Sequence, residues 1–139
     1  MQQQGWELFA HDADIGIRGC GHTVAQAFEQ AALALTGVIT GNPVRTTIGP
    51  FTVHCQAPDY CILLADWLNA LIYEMAVRHM LFARFDIAIS DHVLDASIWG
   101  EHIEVSRHQP SVEIKGATYT GISVERENEL WVASCIVDV

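Results

Sequence analysis

Apolar and polar positions recur along this chain with two periods, and the switches between them lay out its elements. Residues 6–10 and 14–19 follow a period of two. In DIGIRG, Ile15 and Ile17 point one way and Asp14, Gly16 and Arg18 the other, which is the alternation of a strand. The two runs read as two strands or as one bent strand. After Thr23 the period changes: Val24, Ala27, Phe28, Ala31, Leu35 and Val38 recur at helical spacing, and the alanines favour a closely packed helix. Thr23 and Gln26 have the spacing of a capping box, and Gly41 and Pro43 end the element.

Thr46 to Ala57 reads as the next strand, bent at IGPF, with Pro50 arguing against a central place in a sheet. Pro58 and Asp59 open a second helix whose stripe is Leu64, Trp67, Leu68, Leu71 and Ile72. A stripe at this spacing is core rather than groove, with Asp66, Asn69 and Glu74 away from its centre. LFARFDIAIS and VLDASIWG are strands joined by a hairpin turn at SDHV. Residues 101–109 are polar and read as an irregular connection. SVEIKGATYTGISVE is one long bent strand or two strands split near Gly121. A turn in VERENELW leads to the closing strand WVASCIVDV, apolar enough to be central.

The order is strands, helix, strand, helix, then several strands. Two helices are too few for a doubly wound sheet. The expectation is α+β: a compact single domain spanning 1–139, with two helices packed on a mainly antiparallel sheet. The two helix-containing halves suggest an internal duplication, which the weak identity between them does not establish.

Composition narrows the function classes. Half of the 139 residues are apolar, which argues against disorder. There is no run of eighteen apolar residues, so no spanning helix and no membrane association are expected. MQQQGWELF lacks the basic-then-apolar pattern of a signal peptide, and the default location is cytoplasmic. Seven Lys and Arg face seventeen Asp and Glu, a formal net charge of −10. The basic residues are scattered, so no strong direct nucleic-acid binding is expected. An acidic surface favours a basic protein partner or a hard cation, or simply keeps the domain soluble. Cys20, Cys55, Cys61 and Cys135 form no CxxC pair. They read as small apolar residues in or near the core, and His54, Cys55 and Cys61 are a poor match for a zinc site.

Candidate chemistry concentrates in HDAD. On an extended chain Asp12 and Asp14 share a face. Two such carboxylates bind a hard cation, share a proton, or are simply turn residues. His11 reads as a hydrogen-bonded structural residue rather than a base. The closing strand ends on Asp138, with Val139 offering an α-carboxylate or carbonyl oxygen. An aspartate beside a second acid is repelled unless a cation sits between them, and oxygen-only ligation favours calcium or magnesium over zinc. This requires the first and last strands to be neighbours. Elsewhere, Glu101, His102, Glu104 and His108 lie in no nucleophile elbow, phosphate loop or zinc helix. Cys20 and His22 lack an orienting acid. No catalytic residue is assigned. Trp67 reads as a core anchor, as do Trp6, Trp99 and Trp131; Asn69 bridges backbone or shapes a partner surface.

Taken together, HDADIGIRGCGHTVAQAFEQAALAL, LLADWLNALIY, VEIKGATYTGISVE and WVASCIVDV resemble the archease family over nearly the whole length. The first departs from the family's histidine-threonine-alanine-aspartate pattern, with Asp12 in place of threonine. In the third, Thr118 and Tyr119 match but Thr120 stands where a histidine is usual. The resemblance implies a compact α+β domain and a non-catalytic activator of an RtcB-type RNA ligase. Such an activator promotes guanylylation and multiple turnover of the ligase in tRNA splicing and RNA repair. It also implies a divalent metal ion, calcium ahead of magnesium, bound by Asp14, Asp138 and a main-chain or terminal oxygen of Val139. The alternatives are a small metal-dependent hydrolase using Asp12, Asp14 and Asp138, or a metal-independent, chaperone-like interaction domain. Oligomeric state is not legible.

Overall fold

A computed structural model describes residues 3–139. The opening runs are two strands, β1 (Gly5–His11) and β2 (Asp14–Gly21), paired antiparallel from Gly5–Cys20 to His11–Asp14. Between them Asp12 takes a left-handed φ of 51°. The chain is therefore not extended through HDAD, and the premise that Asp12 and Asp14 share a face fails.

Helix α1 (Val24–Ile39) starts where the capping pattern places it. Thr23 Oγ1 accepts from Gln26 N at 3.1 Å, and Gln26 Oε1 accepts from His22 N at 2.8 Å, one residue before the cap. Its alanines matter for packing. A Cβ on Gly19 of β2 would lie 2.3 Å from Ala31 N and 2.5 Å from Ala27 O, so only glycine lets the strand run this close to the helix backbone.

The chain continues as β3 (Ile48–Gln56), α2 (Tyr60–Arg78), β4 (Met80–Ser90) and β5 (Val93–His102). Asp59 caps α2, its Oδ1 accepting from Ile62 N at 2.8 Å. The β4–β5 hairpin turns on Asp91 and His92, with φ of 51° and 61°, the two left-handed residues of a tight hairpin turn. After α3 (Val105–His108) come β6 (Gly116–Ala117), β7 (Ser123–Glu127) and β8 (Leu130–Asp138). The polar stretch 101–109 is thus the end of β5 and a short helix rather than an irregular connection. In 111–127 only β6 and β7 join a ladder, because residues 118–122 turn the chain and 111–114 run past the core without a strand partner.

The strands form two sheets, where the residue pattern suggested one. The first has the order β1–β2–β8–β6, with β7 also on β8; the second is β3–β5–β4. Every pairing is antiparallel. The reason for two sheets is the helices. α1 packs on β1, β2 and β8 of one sheet and β4 of the other, and α2 also touches both. α1 buries nine of its residues, including Thr36, whose hydroxyl donates to Phe82 O of β4 at 2.6 Å. A helix apolar on so many sides needs cover on more than one. The sheets hold five and three strands, and the larger one draws its strands from both ends of the chain.

The core centres on Trp67, Phe28 and Phe82. Trp67 Nε1 donates to Phe28 O at 3.2 Å, which satisfies the buried indole. β3, carrying Pro50, is an edge strand, and β8 is interior to its sheet, both as the pattern implied. Trp6 departs from its expected core place. It is 41% exposed, its ring lying against Gly37 of α1. Among the described residues one helix, α2, is long and apolar enough by composition to cross a membrane, although no unbroken apolar run flagged it. It carries Asp66, Glu74 and Arg78 and buries Leu63, Leu64, Trp67, Leu68 and Leu71 in the core.

Candidate functional site

The first hairpin and the last strand are neighbours. β2 and β8 pair antiparallel, with Ile15 opposite Val137 at the end of the ladder. One residue further in the same register, Asp14 stands opposite Asp138. Asp14 is also paired with His11 on β1, and Asp138 with Gly116 on β6. His11, Asp14, Asp138 and Gly116 therefore form one row across four strands. Directly opposed residues project from the same face of a sheet, so the imidazole and both carboxylates share a face. Asp14 is half-buried and Asp138 exposed.

The sheet surface next to this row is apolar. Phe9 lies over Gly16, where a Cβ would come within 2.1 Å of its ring, and Gly16 is paired with the buried Ile136. His11 Nδ1 is buried with no hydrogen-bond partner, contrary to the expectation of a hydrogen-bonded structural residue. Asp12 is exposed in the turn, outside the row. Among the described residues no three His, Cys, Asp or Glu side chains converge as a metal-ligand group.

The segment after α3 holds the end of β8 in place. Lys115 N donates to Asp138 O at 2.7 Å, and Thr118 donates to Ile136 O through its N at 2.9 Å and its Oγ1 at 3.0 Å. Asn69 of α2 bridges backbone, as its residue type suggested: its amide bonds both the N–H and the C=O of Ala117. Tyr119 and Thr120 are exposed in the turn that follows, which Gly121 completes at φ 64°. Reasoning from sequence attended to Thr118, Tyr119 and Thr120 and passed over Lys115 and Gly116. Both lie within VEIKGATYTGISVE, but neither residue type signals a main-chain contact with β8.

The second polar cluster is closed on itself. Glu101, 6% exposed, takes two bonds from the Arg107 guanidinium, one from Arg45 N at 2.5 Å and one from His108 Nε2 at 3.0 Å. His108 is fully buried, and its Nδ1 accepts from Glu104 N at 2.9 Å, so the proton sits on Nε2. The Arg107 guanidinium holds the Glu101 carboxyl down to about 2, against the opposing cost of burial, with the Arg45 N–H and His108 helping. Both ring nitrogens are engaged, so this cluster braces the fold. His102 is exposed. The cysteines form no disulfide, and burial pushes the thiols of Cys55 and Cys135 up to about 11, too high for a nucleophile at neutral pH.

Two sheets sharing two helices, with an acidic row assembled from the first hairpin and the closing strand, define a small α+β domain that presents carboxylates at one sheet end. The chain belongs to the archease family: residues 6–139 match the Archease protein family (MTH1598/TM1083). It is similar to the protein archease of Pyrococcus furiosus, at 32% identity over 139 residues covering 96% of this chain and 98% of that one. It is similar also to that of Methanosarcina acetivorans, at 31% over 152 residues covering all of both. The solution structure of Methanobacterium thermoautotrophicum protein 1598 superposes with a TM-score of 0.78 at 28% identity, covering 97% of this chain and 99% of that one. A Thermotoga maritima archease, described as a possible chaperone, shares the fold with a TM-score of 0.63 at 18% identity, covering 96% of each chain. Archeases are non-catalytic regulators generally linked to activation of RtcB-type RNA ligases. The hydrolase alternative is thereby set aside.

Proposed function

We propose that this chain activates an RtcB-type RNA ligase in the cytoplasm, promoting guanylylation and multiple turnover of the ligase through a divalent cation, calcium ahead of magnesium. The cation would be held by Asp14, Asp138 and a main-chain or terminal oxygen of Val139. The observation that carries this reading is the row in which Asp14 and Asp138 stand opposite each other. Two carboxylates and a carbonyl-type oxygen are hard donors, the set that suits calcium or magnesium. Two side-chain acids without a third leave ligand positions for water or for groups of the partner. The unpartnered His11 Nδ1 in the same row marks a place where local hydrogen bonding is incomplete.

A bound cation supplies positive charge between two acids that otherwise repel. The protein's own part is to hold those acids on one rigid sheet face and to bring them to the ligase. The net charge of −10 favours a basic face on the ligase.

The test is a multiple-turnover ligation assay with the ligase alone, with this protein, and with its Asp14→Ala, Asp138→Ala double variant under limiting divalent metal. Stimulation by the native chain and its loss in the double variant support the reading. A double variant that stimulates guanylylation fully removes the cation from the mechanism and leaves the metal-independent, chaperone-like alternative. No stimulation by the native chain removes the ligase.

A further inference from the structure

Asparagine is a poor residue for the middle of a helix, because its side chain competes for backbone hydrogen bonds. Asn69 nevertheless lies within α2, half-buried. Its amide is committed to one peptide unit of another element. Oδ1 accepts from Ala117 N at 2.9 Å, and Nδ2 donates to Ala117 O at 3.3 Å. This is the pair of bonds a neighbouring strand would make with the outer edge of β6.

β6 has two residues, Gly116 and Ala117, and these pair with Asp138 and Val137. On the other flank of β8 the last ladder pair is Ile15–Val137. The main chain of Asp138 is thus registered from the β6 side, by Gly116 and by the bond from Lys115 N. A strand this short makes too few ladder bonds to hold itself against a sheet.

The geometry points to Asn69 as a positioning residue for the acidic row. Its amide bonds go to Ala117, not to either aspartate. It acts as a surrogate strand that fixes β6, and β6 fixes the backbone of Asp138 opposite Asp14. This inference rests on the reading of Asp14 and Asp138 as a cation site, and it extends that site to a residue on α2.

The test uses the full chain and calcium as the probe, with two variants. Asn69→Ala removes both bonds. Asn69→Asp keeps the acceptor, loses the donor and adds a negative charge. Calcium affinity is measured by calorimetry, amide hydrogen exchange by NMR, and melting temperature in the presence of EDTA. Asn69→Ala is expected to weaken calcium binding about 10-fold, the usual cost of removing a group that orients a ligand. It should also speed exchange of the Lys115 amide more than that of the β2–β8 ladder amides. Asn69→Asp should lose affinity too, although its added charge alone would raise it; it also serves if the alanine variant fails to fold. Native calcium affinity and native Lys115 exchange in a folded variant overturn the inference and leave the cation site standing. Uniformly faster exchange, with affinity falling only in proportion to stability, shows a merely structural role and overturns it as well. A native chain that binds no calcium removes the cation site and this inference together.

Discussion

Asp14 and Asp138 stand opposite each other one residue beyond the Ile15–Val137 pair, and this places two like charges on one face of neighbouring strands. Opposed like charges are destabilising. Without divalent ions, Asp14→Asn and Asp138→Asn should therefore melt at or above the native temperature. With calcium at about 100 times its dissociation constant, the native chain should gain about 2.7 kcal/mol and each variant much less. Thermal melts with and without calcium check this. Equal gains in all three proteins would put the cation elsewhere.

The Glu101 cluster sets an acid limit on stability. Its carboxyl has an ordinary value of 4.5 and is held down to about 2 in the fold, chiefly by Arg107. A group depressed on folding stabilises above its unfolded value, and that contribution is lost as pH falls through the folded value. Native stability should fall between about pH 4.5 and pH 2. Glu101→Gln should flatten this part of the profile. It should also cost about 3 kcal/mol at neutral pH by leaving the buried pair incomplete. Urea unfolding across this pH range reads both effects.

Two glycines should respond oppositely to alanine. At Gly19 the new Cβ meets helix backbone at 2.3 Å, which cannot move without shifting α1. A loss of about 1–3 kcal/mol is expected. At Gly41 nothing lies within 4 Å, so Gly41→Ala should be neutral or stabilise by about 0.4–1 kcal/mol through the unfolded chain. Equilibrium unfolding of the two variants compares them directly.

The charge of −10 predicts that association with the ligase slows as salt is raised, because screening shortens the reach of steering. Stopped-flow mixing over a range of ionic strength measures it. A flat rate would mean that the docking faces are matched by shape rather than charge.

Much of this architecture was legible from residues acting on near neighbours. Thr23 and Asp59 cap their helices three residues away; Asp91 and His92 turn a hairpin over two. Asp12 was misread because an alternating pattern does not reveal a left-handed residue in its midst. Residues 111–114 read as strand but are not one, because Val112 and Ile114 pack on the core without pairing to a strand. Trp6 was misplaced because strand alternation says which face a side chain occupies but not whether that face is covered.

Local periodicity and capping determined the two long helices, most of the strands and the α+β class, since those signals act over a few residues. The family motifs in the chain marked Asp14 and Asp138. Only the tertiary structure decided that the strands carrying these two acids pair in a register that sets them opposite, that α1 and α2 are shared by two sheets, that Asn69 completes the edge of β6, and that Glu101 and His108 close on each other. These depend on which strands pair and in what register. That choice is made by burying a helix and a sheet face together, across segments that only folding brings side by side.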